Sequence, residues 1–229
     1  MKLPISDRLL ACAQFIQKGH RVADIGCDHG YLSIHLLTQG IATSCIAADV
    51  NEGPLQSAMR NARKYGVANK MEFCLSDGLR RLPQDFDTMV CAGMGADTMI
   101  HILSDAPWLK NEAYTMVLQC QSKTPMLRKF LSENGWAICR ESVLRDGRFL
   151  YTIMEVRYAP DAPRLTDAQC HFSPALLNQN SPDLPAYYQW VTEGLRIAVT
   201  HQDDPAKKEL LRQLEALAEN FPILKEETK

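Results

Sequence analysis

The chain has 229 residues, 46% of them hydrophobic, and a formal net charge of −2. That length accommodates one α/β domain with a smaller appendage, and the near-neutral balance excludes nucleic-acid binding driven by bulk charge while leaving room for a local basic patch. No apolar run reaches the length of a membrane span and Met1-Lys-Leu-Pro4 lacks a signal-peptide pattern, so a cytoplasmic protein without a membrane partner is expected.

The opening stretch, residues 3 to 18, reads as a helix with Ser6 as cap, Leu9, Leu10, Ala13 and Ile16 on one face and Gly19 as stop. Arg8 on this helix belongs either near a ligand or on a solvated surface. Next, Val22-Ala-Asp-Ile-Gly-Cys-Asp-His-Gly-Tyr-Leu32 reads as the end of a buried strand, a glycine-bearing loop and the start of a helix carrying Ile34, Leu36 and Leu37. Such a loop sets backbone N–H groups and a helix N-terminus beside whatever lies over the strand's carboxyl end. A dinucleotide fingerprint needs glycine two residues after Gly26, where the chain has Asp28. A carboxylate there repels a diphosphate and attracts a ligand with an ammonium or a sulfonium, and S-adenosylmethionine carries both. The competing reading is a capped turn with no ligand.

The second strand, Ala42 to Asp49, closes on an acid about twenty residues past the loop, where a carboxylate accepts from both hydroxyls of a ribose. Asp49 is therefore a candidate ribose contact, with Val50 and Asn51 beside it; a helix cap is the alternative, and Asn51 with Pro54 serves that purpose equally well. The helix that follows runs to Gly66 and turns Arg60, Arg63 and Lys64 outward. The third strand, Met71 to Leu75, ends in Ser76-Asp77-Gly78, where Asp77 either accepts from an adenine amino group or simply makes a turn. The fourth, Thr88 to Ala92, breaks at Gly93-Met94-Gly95, which lets a substrate come close. A fifth strand spans Tyr114 to Cys120, and a helix spans Thr124 to Asn134. Trp136 to Leu144 and Arg148 to Tyr158 are then joined by Asp146-Gly147, a hairpin signal that implies antiparallel pairing.

Five βα units closed by a β-hairpin match the class I methyltransferase sheet: Rossmann-like, mostly parallel, with seven strands. A dehydrogenase sheet would continue through helices to parallel strands instead. Beyond residue 158 the composition shifts to a proline-punctuated connection and two helical stretches, Tyr187 to Gln202 and Ala206 to Asn220. The expected division is a donor-binding domain at 1–158 and an antiparallel helix pair at 159–229. The eight cysteines include no C-x-x-C pair, and Cys27 with His29 finds no second ligand pair, so they read as core residues and no metal is expected.

Ile5-Ser-Asp-Arg-Leu9, the loop at 22–32, Ala48-Asp-Val-Asn-Glu-Gly-Pro-Leu-Gln-Ser-Ala58, Ser76-Asp-Gly-Leu79, Gly93-Met-Gly95 and Glu133-Asn-Gly-Trp136 together resemble the bacterial tRNA (adenine-22)-N1-methyltransferase family. The resemblance implies S-adenosylmethionine as donor, N1 of a tRNA adenine as acceptor, and a coiled-coil-like C-terminal helix pair. It departs from that family at Cys120-Gln121, where a Pro-Asn-like pair is expected. The Asn/Asp-Pro-Pro-aromatic motif of amino-group adenine methyltransferases is absent, which agrees with a ring-nitrogen acceptor.

The candidate roles follow. Asp24, Gly26, Asp28, His29, Gly30 and Tyr31 shape the donor loop, Asp49, Val50 and Asn51 the ribose end, Ser76, Asp77 and Gly78 the adenine end, and Gly93 and Met94 the transfer site. Asp28 is nominated to stabilise charge developing on the methylated adenine, with Met94 lining the place of transfer. Arg8, Arg60, Arg63, Lys64, Lys123, Arg128 and Lys129 are candidates for tRNA phosphates, with Lys207, Lys208 and Arg212 in the tail. The rivals are a nicotinamide-dependent oxidoreductase, an inactive RNA-binding module, and a methyltransferase for another RNA, a protein or a small molecule.

Overall fold

A computed structural model describes residues 3–179, 181–221 and 224, and in it the chain forms a seven-stranded sheet covered by helices on both faces. The strands are β1 (Arg21–Ile25), β2 (Ser44–Asp49), β3 (Met71–Leu75), β4 (Thr88–Met94), β5 (Thr115–Cys120), β6 (Trp136–Asp146) and β7 (Phe149–Tyr158), in the order β3-β2-β1-β4-β5-β7-β6. The first five pair in parallel, while β7 runs antiparallel to both β5 and β6. This is the Rossmann-like sheet with a closing hairpin that the sequence predicts.

Alternation along each strand explains the two covered faces. Val22, Cys45, Val90, Val117 and Ile153 turn to one side, where they join α1 (Asp7–Ala13), α2 (Tyr31–Thr38) and α3 (Glu52–Lys64). Ala23, Ile46, Met89, Leu118 and Met154 turn to the other, against α4 (Ala96–Ser104) and α5 (Thr124–Glu133). Both surfaces of β5 are buried, so its run Thr-Met-Val-Leu-Gln-Cys sits at the centre of the molecule.

The opening helix is shorter than its periodicity predicts. It ends at Ala13, after which the N–H groups of Gln14, Phe15 and Ile16 reach back only three residues, so the apolar spacing continues through tightened turns that still bury Phe15 and Ile16. The proline-rich connection contains two short helices that its composition does not predict, α6 (Asp167–His171) and α7 (Pro174–Leu177). Thr166 and Gln169 form a capping box on α6, and Ser173 caps α7. Two longer helices follow, α8 (Leu184–His201) and α9 (Pro205–Asn220); α8 begins earlier than its periodicity predicts because Pro185 occupies its first turn, a position that needs no N–H.

A third apolar cluster combines Val143 of β6 with Phe172, Leu176, Leu184, Tyr187, Tyr188, Leu214 and Ala218. Packing therefore crosses the compositional boundary at residue 158.

Candidate active site

The carboxyl ends of β3, β2, β1 and β4 lie side by side in the sheet, and their loops enclose a cavity of about 400 Å³. Its walls hold Asp24, Gly26 and Asp28 from β1 and its loop, Asp49 and Val50 from the end of β2, Ser76, Asp77 and Gly78 after β3, and Gly93 and Met94 from the end of β4. All ten are among the candidate donor-site residues of the sequence analysis. The cavity sits where the strand order reverses between β1 and β4, the place at which open α/β sheets bind ligands.

Asp24 is the penultimate residue of the buried strand β1 and is 4% exposed. Ser33 Oγ donates to its Oδ2 at 2.8 Å, yet burial dominates and pushes the carboxyl up to about 6, with nearby Asp49 acting in the same direction. Asp49 is also buried. Its Oδ1 accepts from the Asn51 N–H at 2.9 Å and its Oδ2 from the Asp28 N–H at 3.3 Å, which fixes the carboxylate and leaves a lone pair on each oxygen for a further donor.

Asp28 differs from both. Its backbone is left-handed, at φ +50°, and its side chain is 71% exposed, 3.6 Å from His29 Nε2. A non-glycine residue in that region costs energy unless its surroundings fix it, and the hydrogen bond from its N–H to Asp49 does so here. Gly26 also has positive φ, and a Cβ there would collide with Met94 Cε, so Met94 closes over the loop only because position 26 has no side chain.

The structure revises several assignments. The N–H groups of Gly26 and Cys27 both donate to Ala48 O, and that of Gly30 to Cys27 O, so the loop spends these donors on itself. Gly30 does not line the cavity: a Cβ there would lie 2.9 Å from Ala58 Cβ, which makes this glycine a packing requirement between α2 and α3. His29 and Tyr31 stack on each other at 5.6 Å outside the cavity wall, and Asn51 stands at the N-terminus of α3 without a side-chain capping bond. Ser76 Oγ is engaged in its own turn, donating to Gly78 O and accepting from the Arg81 N–H. Asp77 pairs with Arg80 at 2.8 Å.

The cations change most. Arg8 enters the cavity wall, where its Nη1 donates to Gln119 Oε1 at 2.6 Å, and the same oxygen accepts from the Gly93 N–H at 2.9 Å. Gln119, fully buried at the end of β5, thus positions both Arg8 and the glycine turn. Arg128 cannot meet a phosphate: it is 0% exposed and paired with Glu141 at 2.7 Å. Lys123 is exposed and bonded to Asp97, Lys129 lies 3.7 Å from Asp167, and Arg60, Arg63 and Lys64 remain on the solvated face of α3.

Sequence reading missed Gln119, Leu9, Thr98 and His101. Gln119 lay within a strand and carried no spacing signal; Thr98 and His101 lay one and two turns along α4, on the face toward the cavity. No group of three or more His, Cys, Asp or Glu among the described residues is arranged to hold a metal, and none of the described helices is long and apolar enough to cross a membrane.

A methyltransferase-domain family model matches residues 5–154. A protein of Mycoplasma genitalium provisionally named a tRNA methyltransferase is 32% identical over 160 residues, 69% of this chain and 71% of its own length. The tRNA (adenine(22)-N(1))-methyltransferase of Bacillus subtilis is 29% identical over 154 residues, 67% of this chain and 65% of that protein. Among solved structures, a Streptococcus pneumoniae protein provisionally described as a tRNA (m1A22) methyltransferase, in complex with S-adenosyl-L-methionine, is similar with a TM-score of 0.82 at 29% identity; the match covers 96% of this chain and 99% of that one.

Proposed function

Because the chain belongs to the methyltransferase-domain family and stands among the tRNA (adenine-22)-N1-methyltransferases, we propose that it transfers a methyl group from S-adenosylmethionine to N1 of adenine 22 in tRNA. The observation that carries the reading is the cavity at the switch point, walled by four acids, Asp24, Asp28, Asp49 and Asp77, with Asp28 where a diphosphate cradle needs glycine. The residues present fit the donor. Asp49, held by two backbone N–H groups with lone pairs to spare, suits the ribose hydroxyls; Asp24 and the Gly26 turn suit the cationic methionine end; Ser76, Asp77 and Gly78 flank the adenine end.

The donor supplies an electrophilic sulfonium methyl. N1 of adenine has an in-plane lone pair, so the protein needs no base to create the nucleophile, only to align it and exclude water. Met94, folded over Gly26, and the Gly93 turn, tied to Gln119, form the rigid wall at which alignment takes place. Alkylation leaves positive charge on the ring, and Asp28, a solvent-facing carboxylate at the cavity edge, offsets that charge as it develops. The target base must leave its stack to arrive there, at a cost of a few kcal/mol that contacts with the rest of the tRNA offset.

The reading assigns residues 159–229 to a C-terminal part whose described residues are largely helical, and it carries a cytoplasmic location with it, since tRNA is made and used there. The test is incubation of the protein with donor and unmodified tRNA, followed by digestion and mass measurement of the nucleosides. 1-Methyladenosine at position 22 is the expected product. Its absence, or calorimetric binding of a nicotinamide dinucleotide in preference to the donor, overturns the assignment.

A further inference from the structure

A second groove, of about 310 Å³, opens at the same edge of the sheet, between the end of β5, the start of β7 and α8. Its walls include Gln121, Lys123, Tyr151, Thr152, Tyr187 and Trp190. Three aromatic rings meet there, and Trp190 leaves 64% of its surface exposed although Tyr187 packs beside it at 5.9 Å. Thr152 is 1% exposed, and its Oγ1 has no hydrogen-bond partner. A buried hydroxyl without a partner is costly to maintain, so its presence in a wall points to a polar group supplied from outside. His171, also in the wall, is pushed down to about 4 by burial and by Arg128, so it lines the groove as a neutral ring.

The groove is built onto the donor cavity by backbone. The Gln121 N–H donates to Met94 O at 2.9 Å and the Ala96 N–H to Ser122 O at 3.1 Å, while a Cβ on Gly95 would lie 2.8 Å from Ser122 Oγ. Yet none of the described residues lines both spaces. A base receiving the methyl group must share a wall with the donor, so the occupant of this groove is a different one.

We propose that the groove takes one unstacked nucleobase of the RNA substrate, other than the base that is methylated, stacked on Trp190 and hydrogen-bonded to Thr152 Oγ1 and Gln121. The assignment rests on the reading that RNA is the substrate. Aromatic platforms serve any base, and an exposed tryptophan flanked by polar edges has the composition of a single-strand contact. Lys123 stands at the rim. Its bond to Asp97 joins two exposed side chains, a weak link that a phosphate oxygen can replace.

Steady-state methylation of full-length tRNA by Trp190→Ala, Trp190→Phe and Thr152→Val tests the proposal, with donor binding measured alongside by calorimetry. Loss of the platform raises the KM for tRNA about 10-fold in W190A, with kcat and donor affinity unchanged, while W190F stays within about 3-fold of the parent. Thr152→Val keeps the shape and removes the hydroxyl, for a rise of about 5-fold. An unchanged KM in W190A overturns the proposal, and so does an equal loss of donor affinity, which reports general damage. If the parent protein makes no 1-methyladenosine, the function fails instead; the groove is then judged by whether tRNA quenches Trp190 fluorescence in the parent and whether W190A loses tRNA affinity.

Discussion

Asp24, within β1, and Asp28, in the loop that follows, lie four residues apart and carry opposite burial, so their substitutions separate charge from structure. Asparagine tolerates the left-handed backbone that position 28 requires, so Asp28→Asn removes the carboxylate without straining the turn. The expected outcome is a fall in kcat of about 10- to 100-fold with donor affinity within a factor of three, read by single-turnover kinetics beside calorimetry. Equal losses in both would make Asp28 a binding residue. Asp24 gives a pH signature. Its carboxyl lies at about 6 in the folded protein against an ordinary 3.8, so the native state holds the proton more tightly than the unfolded chain. The stability this group contributes is fully present below about pH 4 and is lost as pH rises to about 6, in total roughly 3 kcal/mol. Asp24→Asn, which mimics the protonated form, therefore melts above the parent at pH 7 and converges with it near pH 4. Because a cationic donor favours the ionised form, donor affinity in the parent rises from pH 5 to about 7 and then levels. An affinity that stays flat across that range would remove Asp24 from the donor site.

Among the elements, α5 and β6 matter most beyond the site, because they bind the C-terminal helices to the sheet. Arg128 of α5 gives Nε and Nη2 to Glu141 of β6 and Nη1 to the carbonyls of Cys170 and His171 at the end of α6, while Ser173, the cap of α7, donates to Glu141 Oε2. Both charges are fully buried and both are satisfied. Removing one partner leaves the other charged and unpaired, so Arg128→Met is expected to cost about 3–5 kcal/mol, on the order of 10 °C in melting temperature by calorimetry. The joint replacement Arg128→Met with Glu141→Leu costs far less, since it removes both desolvation penalties. A single variant that melts with the parent would contradict the network. Any loss of tRNA affinity in an Arg128 variant then reports folding and not a phosphate contact.

For the whole molecule, the compositional break at residue 158 is not a break in packing. Val143 and Leu150 of the hairpin are covered by side chains from α7 to α9, so a chain ending at Tyr158 exposes an apolar face and strips Arg128 of its two carbonyl acceptors. Fragment 1–158 is expected to melt at least about 10 °C below the full protein in circular dichroism. A fragment as stable as the parent would make residues 159–229 energetically independent. Three cations of α9 are matched locally, Lys207 with Asp204, Lys208 with Asp203 and Arg212 with Glu209, so among the described residues this helix presents no continuous basic track.

How much was legible divides along chain distance. Period-two and period-3.6 spacing, the left-handed glycine turns and the acid at the end of each strand are set within a few residues, so the sheet, its closing hairpin and ten residues of the cavity wall could be read from the sequence. Tertiary structure decided what depends on partners far along the chain. Gln119 reaches Arg8 across 111 residues, Ala58 turns Gly30 from a ligand contact into a packing contact, and Glu141 draws Arg128 out of solvent. The reason is physical: spacing reports which face of an element a side chain occupies, whereas its neighbour on that face is fixed only when registers and helix packings close around it.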